Sequence, residues 1–142
     1  MEKKIEHIIS INLINLSFNI DEEELRNQKD GVIEIGFRYG ISEALRKNDE
    51  GVYLVNVIFN LALGDGVEKE EFQKVITGSG VSLEYEMAFS STIEILEVDN
   101  DLRKEIFSVI EPYLREKTNY LFSSSKHGVP PIPYNFWNIS EE

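Results

Sequence analysis

Apolar and polar residues alternate with period two along most of the first hundred positions, and the period then changes to 3.6. Ile9, Ile11 and Leu13 alternate with Ser10 and Asn12; the phase slips by one at Ile14, and Leu16, Phe18 and Ile20 carry it on past Asn15, Ser17 and Asn19. Period two is the signature of a half-buried strand, and a one-residue slip flips the faces unless a bulge absorbs it. The pattern therefore predicts one long, bent strand over about residues 5–20. After a polar stretch from Asp21 to Gly31, alternation resumes over Val32–Ala44 through Ile33, Ile35, Phe37, Tyr39 and Ile41. The cluster Lys47-Asn48-Asp49-Glu50-Gly51 predicts a turn, and Val52–Leu63 predicts a third strand with Val55, Val57, Phe59, Leu61 and Leu63 in phase. Those two strands make a hairpin. Phe72, Val75 and Ile76 suggest a short helix over Glu68–Thr77, with a strand as the alternative. Val81–Val98 then predicts a fourth strand, through Leu83, Tyr85, Met87 and Phe89 to Ile93, Ile95 and Val98, bulged or bent at Ser90-Ser91-Thr92.

From Asp99 onward, Leu102, Ile106, Val109, Ile110, Tyr113, Leu114, Leu121 and Phe122 share one broad helical face. Asp99 or Asn100 can cap the start and Gly128 the end, a helix of about 28 residues. Pro112 lies inside it and is expected to kink or split it, because its ring clashes with the preceding turn. Three of the four prolines then fall in the tail with Tyr134, Phe136 and Trp137, the only tryptophan. Proline fixes φ and donates no hydrogen bond, so an extended, stiff C-terminal segment follows, pinned by its aromatics to a core or lining a groove. Strands of ten to sixteen residues, long against a typical five or six, make a sheet broader than one helix and a tail can cover. The uncovered apolar face and edges call for a partner subunit.

Composition narrows the function. At 142 residues the chain is read as a single domain, 1–142. The 26 acidic against 14 basic residues give a formal net charge of −12, which repels nucleic-acid phosphates and anionic lipid. There is no cysteine, so disulfides, thiolate nucleophiles and Cys-based zinc sites are excluded. The start Met1-Glu2-Lys3-Lys4-Ile5 mimics a signal peptide, but Glu6, His7, Asn12 and Asn15 interrupt the apolar stretch such a peptide needs. The reading is a cytoplasmic, soluble protein without membrane insertion.

Catalytic chemistry is hard to assemble from these residues. Only His7 and His127 are available as imidazoles, too few for a metal site, and no serine sits in a G-x-S-x-G turn. Gly64-Asp65-Gly66 and Gly78-Ser79-Gly80 lack the G-K-[ST] ending that cradles phosphates. The acidic runs Glu22-Glu23-Glu24 and Glu68, Glu70, Glu71 read as solvated surface. The expectation is no enzyme, no cofactor and no metal.

The second half carries more specific residues. Glu111-Pro112-Tyr113-Leu114-Arg115-Glu116, inside the helix, resembles the Pro-Tyr-x-Arg-Glu centre of the long helix in the SecB export-chaperone family. Gly128-Val129-Pro130 and Pro131-Ile132-Pro133-Tyr134-Asn135-Phe136 are similar to that family's Gly-x-Phe-Pro stretch and Pro-x-Asn-Phe signature. Leu16-Ser17-Phe18 resembles its first-strand Leu/Ile-Ser-Phe, and Glu86 through Ile95 its fourth strand.

The resemblance implies an α+β fold: a four-stranded antiparallel sheet, a long kinked helix and an extended Pro/aromatic C-terminal segment, assembled as a homo-oligomer (dimer or tetramer). It also implies an ATP-independent holdase that binds unfolded or nascent polypeptide. By position, Val129, Ile132, Tyr134, Phe136 and Trp137 line the client groove, unless they only cap their own subunit's core. Pro112, Tyr113 and Arg115 set the helix kink and a subunit contact. The family docks on the SecA-type motor partly through acids flanking the first-strand Ser-Phe, where this chain has Asn15 and Asn19. Glu86 matches a docking acid, but Glu84 stands where the family is apolar. These departures argue against motor docking and leave as the alternative a dedicated chaperone or adaptor for one partner, such as an antitoxin.

Overall fold

The computed structural model describes residues 3–20, 35–63 and 79–123. They form β1 (Ile5–Asn19), β2 (Ile35–Lys47), β3 (Tyr53–Leu63), β4 (Ser79–Ser91) and one helix, α1 (Asn100–Phe122). The strands make one antiparallel sheet in the order β1-β4-β3-β2. Three consecutive strands are neighbours, and β1 lies beside β4, a Greek-key arrangement.

The α+β architecture and the β2–β3 hairpin match the sequence pattern. Asn48 closes that hairpin: its side-chain oxygen accepts from the backbone N–H of Glu50 (3.0 Å) and Val52 (2.9 Å), and Gly51 takes the positive φ of 80°. On one face of the sheet, Val55 pairs with Met87, Val57 with Tyr85, Phe59 with Leu83 and Leu61 with Val81. Leu102, Ile106, Phe107, Ile110, Leu114 and Phe122 of α1 complete the core with this face. Burying such side chains contributes roughly 1.5–3 kcal/mol each, which makes β3, β4 and α1 the stable centre.

The slip read at Ile14 is a real irregularity. Leu13 pairs with Tyr85 and Asn15 with Glu84, leaving Ile14 without an opposite residue; two more register shifts fall at Ile5/His7 and Ile8/Ser10. The bulge keeps Leu13, Leu16 and Phe18 aligned with the core-facing residues of β4.

Two boundaries differ from expectation. The fourth strand does not continue to Val98; Ser90 and Ser91 still pair with His7 and Ile5, the strand ends at Ser91, and the chain bends at Thr92. Tyr53 replaces the lost pairing, its hydroxyl accepting from the Ile95 N–H at 2.9 Å. The helix ends at Phe122, six residues before Gly128, with Ser123 in right-handed helical geometry as the C-cap. Pro112 does not split it: α1 runs as one helix through the proline. Asp99 is the N-cap, its side chain accepting from Leu102 N–H at 2.9 Å. Lys4 also bonds Asp99; that bond raises the Lys4 pKa, and it and the Leu102 N–H lower that of Asp99. The expected helix at 68–77 lies outside the described residues.

The Glu105 carboxylate accepts from the backbone N–H groups of Lys4 (2.9 Å) and Ile5 (3.0 Å), tying the start of β1 to the first turns of α1. At the opposite end, the rings of Phe18 and Phe122 meet edge to face at 5.1 Å. The helix therefore travels alongside β1 in the same direction.

Candidate binding surface

Edge position leaves β1 incompletely covered. Ile8, Ile9, Leu13, Ile14 and Leu16 are between 37% and 54% exposed, five aliphatic side chains within nine residues. A lone exposed leucine is ordinary; five exposed aliphatics along one edge strand of an acidic chain mark a contact surface. Beside it, Ile11 and Leu13 of β1 and Tyr85 of β4, with Tyr113, Glu116, Lys117 and Tyr120 of α1, line an open groove of about 650 Å3.

Helical spacing builds the outer wall. Tyr113, Glu116, Lys117 and Tyr120 stand at i, i+3, i+4 and i+7, one stripe on the flank of α1 turned from the core. Tyr113 is 46% and Tyr120 73% exposed. The Lys117 ammonium lies 5.9 Å from the Tyr120 ring centroid. Tyr85 connects floor and wall: its hydroxyl donates to the Tyr113 carbonyl at 3.4 Å, and the two rings lie 6.5 Å apart. Burial, followed by the Glu116 charge, pushes the Tyr85 phenol up to about 12, so it stays neutral and a donor across the physiological range.

The opposite face of the sheet carries a hydrogen-bonded polar row beside the buried Ile58, Ala62 and Ala88. Arg46 donates to the Asn56 side-chain oxygen at 2.5 Å, and the Asn56 amide donates to Glu84 at 3.1 Å. Ser82 donates to Asn60 at 2.6 Å, and Arg46 sits 3.5 Å from the Glu86 carboxylate. Asn56, Asn60, Ser82 and Glu84 are all buried.

The residues singled out from the sequence fall in separate places. Tyr113 lies on the groove wall and Pro112 is exposed next to it. Arg115 points elsewhere, largely buried and 3.6 Å from Glu111. Glu86 is on the far face with Arg46, so the structure does not bring it together with Tyr113. Val129, Ile132, Tyr134, Phe136 and Trp137 lie outside the described residues. Tyr113 is also not a member of the helix's buried face as the period suggested; Phe107 and Thr118 are. Sequence reasoning overlooked Lys117, Tyr120 and the aliphatics of β1 as a surface. The Tyr113–Tyr120 spacing was a legible signal, but nothing in it says which side of the helix meets the sheet.

Among the described residues, no cluster of His, Asp and Glu can hold a metal ion, and no helix is long and apolar enough to cross a membrane.

The fold is similar to that of a SecB-like chaperone of known structure. The Mycobacterium tuberculosis SecB-like chaperone Rv1957, solved in complex with a ChAD peptide from the Rv1956 HigA1 antitoxin, superposes with a TM-score of 0.54 at 11% sequence identity. The match covers 89% of this chain and 88% of that one. No protein-family model and no curated protein matches the chain.

Proposed function

We propose that this protein is a holdase-type chaperone that binds unfolded or nascent polypeptide without nucleotide. The observation that carries the reading is the strip of five exposed aliphatics on β1, set in a SecB-like fold. Such a strip competes with aggregation for apolar client segments, while the charge of −12 keeps the loaded protein dispersed. The sequence resemblance adds Val129, Ile132, Tyr134, Phe136 and Trp137 to the client-contacting residues. The work is binding rather than catalysis.

A second form of this reading is service to one partner. The antitoxin peptide bound to the mycobacterial protein of the same fold supports it, as do Asn15 and Asn19 at positions where motor docking uses acids.

The test is light scattering of a chemically unfolded, slow-folding client diluted with and without the protein. Suppression near one-to-one, weakened by Ile9→Glu plus Ile14→Glu and by Phe136→Ala plus Trp137→Ala, is expected. No suppression at several-fold excess rules out a general holdase. Co-purification of one partner instead of a mixture then identifies the dedicated form.

A further inference from the structure

The groove between β1 and α1 has a spacing that the client reading leaves unused. Tyr113 and Tyr120 stand two helical turns apart on its outer wall, about 10 Å along the axis. Both are exposed, and Tyr85 lines the same groove. A trough of aromatic rings is the surface on which a polyproline II strand lays its prolines. Such a strand repeats every three residues, so prolines at i and i+3 fall on one face about 9 Å apart. One pair in the chain has that spacing: Pro130 and Pro133 of Pro130-Pro131-Ile132-Pro133. We propose that the groove is the docking site of this segment of the chain's own tail, which returns antiparallel to α1 with Pro130 against Tyr120 and Pro133 against Tyr113.

The point at which the helix ends favours this occupant. Ser123 is the C-cap of α1, three residues beyond Tyr120. Residues 124–129 have only to reverse direction to bring Pro130 to the groove, and fully extended they reach roughly 20 Å. A segment on the same chain is present at an effective concentration on the order of millimolar, so a contact too weak to hold separate molecules still fills the groove. Proline has already fixed much of the backbone, which lowers the entropy lost on docking.

The two charged residues of the groove suit such a backbone. Within Pro130–Pro133 only Ile132 carries a backbone N–H, while every carbonyl can accept. Glu116 offers an acceptor for that N–H and Lys117 a donor for the carbonyls, both between the two tyrosines on the stripe. Residues 129–140 include no acid and no base, so docking brings no like charge to a chain of net charge −12. Beyond Tyr113 the returning tail runs toward the Ile8–Ile11 stretch of β1 and takes Phe136 and Trp137 with it. The β1 aliphatics and the tail aromatics named as client contacts then form one surface. That consequence rests on the client reading; the docking itself does not.

The test exploits a full chain that has no cysteine. Tyr120→Cys with Pro130→Cys, and Tyr113→Cys with Pro133→Cys, are each expected to close a disulfide within one chain on mild oxidation. Ser108→Cys with Pro130→Cys, with its first cysteine at an exposed position beyond the groove, is expected not to. Trp137, the only tryptophan, gives a second readout. Tyr113→Ala plus Tyr120→Ala should shift its emission to longer wavelength, and Pro130→Ala plus Pro133→Ala should shift it as far. Pro131→Ala lies off the docking face and should leave it in place. Both tyrosines are exposed, so circular dichroism should be unchanged by their loss. Absence of the intrachain disulfides, or emission indifferent to both double variants, would overturn the proposal. Disulfides formed only between chains would assign the groove to the tail of a second copy and overturn it as well. Client aggregation enters neither readout, so a failed docking and a failed holdase reading are told apart.

Discussion

Gly80 holds φ at +147° where β4 enters the sheet opposite Ala62. A Cβ there would overlap the Leu61 carbonyl oxygen and approach Ala62 Cα to 2.9 Å, both backbone atoms that cannot swing away. Only glycine takes this backbone geometry without strain. Gly80→Ala is therefore expected to destabilise the fold by about 2–4 kcal/mol, read as a lower urea midpoint at unchanged slope. The sequence showed Gly78-Ser79-Gly80 as a punctuation mark before the strand. It did not show that Gly80 was indispensable, because that depends on how closely β3 passes, a property of the pairing and not of the tripeptide.

At the level of elements, β1 shows most clearly how pattern becomes structure. Its phase slip was visible as a change in which positions were apolar, and the structure resolves it as a bulge at Ile14. Because Leu13 and Asn15 face consecutive residues of β4, removing Ile14 leaves every other pairing of the strand in place. Deletion of Ile14 should thus be tolerated, shifting Tm by only a few degrees. Insertion of one residue between Leu16 and Ser17 should be far worse, since it moves Phe18 off the core face or breaks its contact with Phe122. Thermal melts of the two variants side by side check the prediction; equal losses would mean the bulge itself holds the strand. α1 teaches a complementary lesson. Its 3.6 period was legible, yet Tyr113 was placed on the buried face and Phe107 missed, because the direction of the buried stripe is set by the sheet beneath it.

For the whole molecule, charge and uncovered apolar area act against each other. The net charge of −12 holds copies apart except where they fit, while the aliphatics of β1 make any close approach adhesive. Near the sequence pI of about 4.6 that repulsion vanishes. Native protein should scatter light increasingly as pH falls toward this value, and Ile9→Glu plus Ile14→Glu should suppress the rise. If the double variant scatters as strongly as the wild type, the adhesive surface lies elsewhere on the chain.

Local pattern alone determined the four strands, the hairpin at Asn48, the slip in β1 and the long helix that follows them. These depend on the spacing of apolar side chains and on turn chemistry, which are properties of neighbouring residues. The placement of β1 beside β4, the end of β4 at Ser91 and the separation of Glu86 from Tyr113 by the sheet were decided only in three dimensions. So was the exposure of Tyr120 and of the β1 aliphatics, which have the same composition as core residues. Whether such a residue is buried or presented depends on what packs over it, and that is set by contacts between residues as far apart in the chain as Phe18 and Phe122.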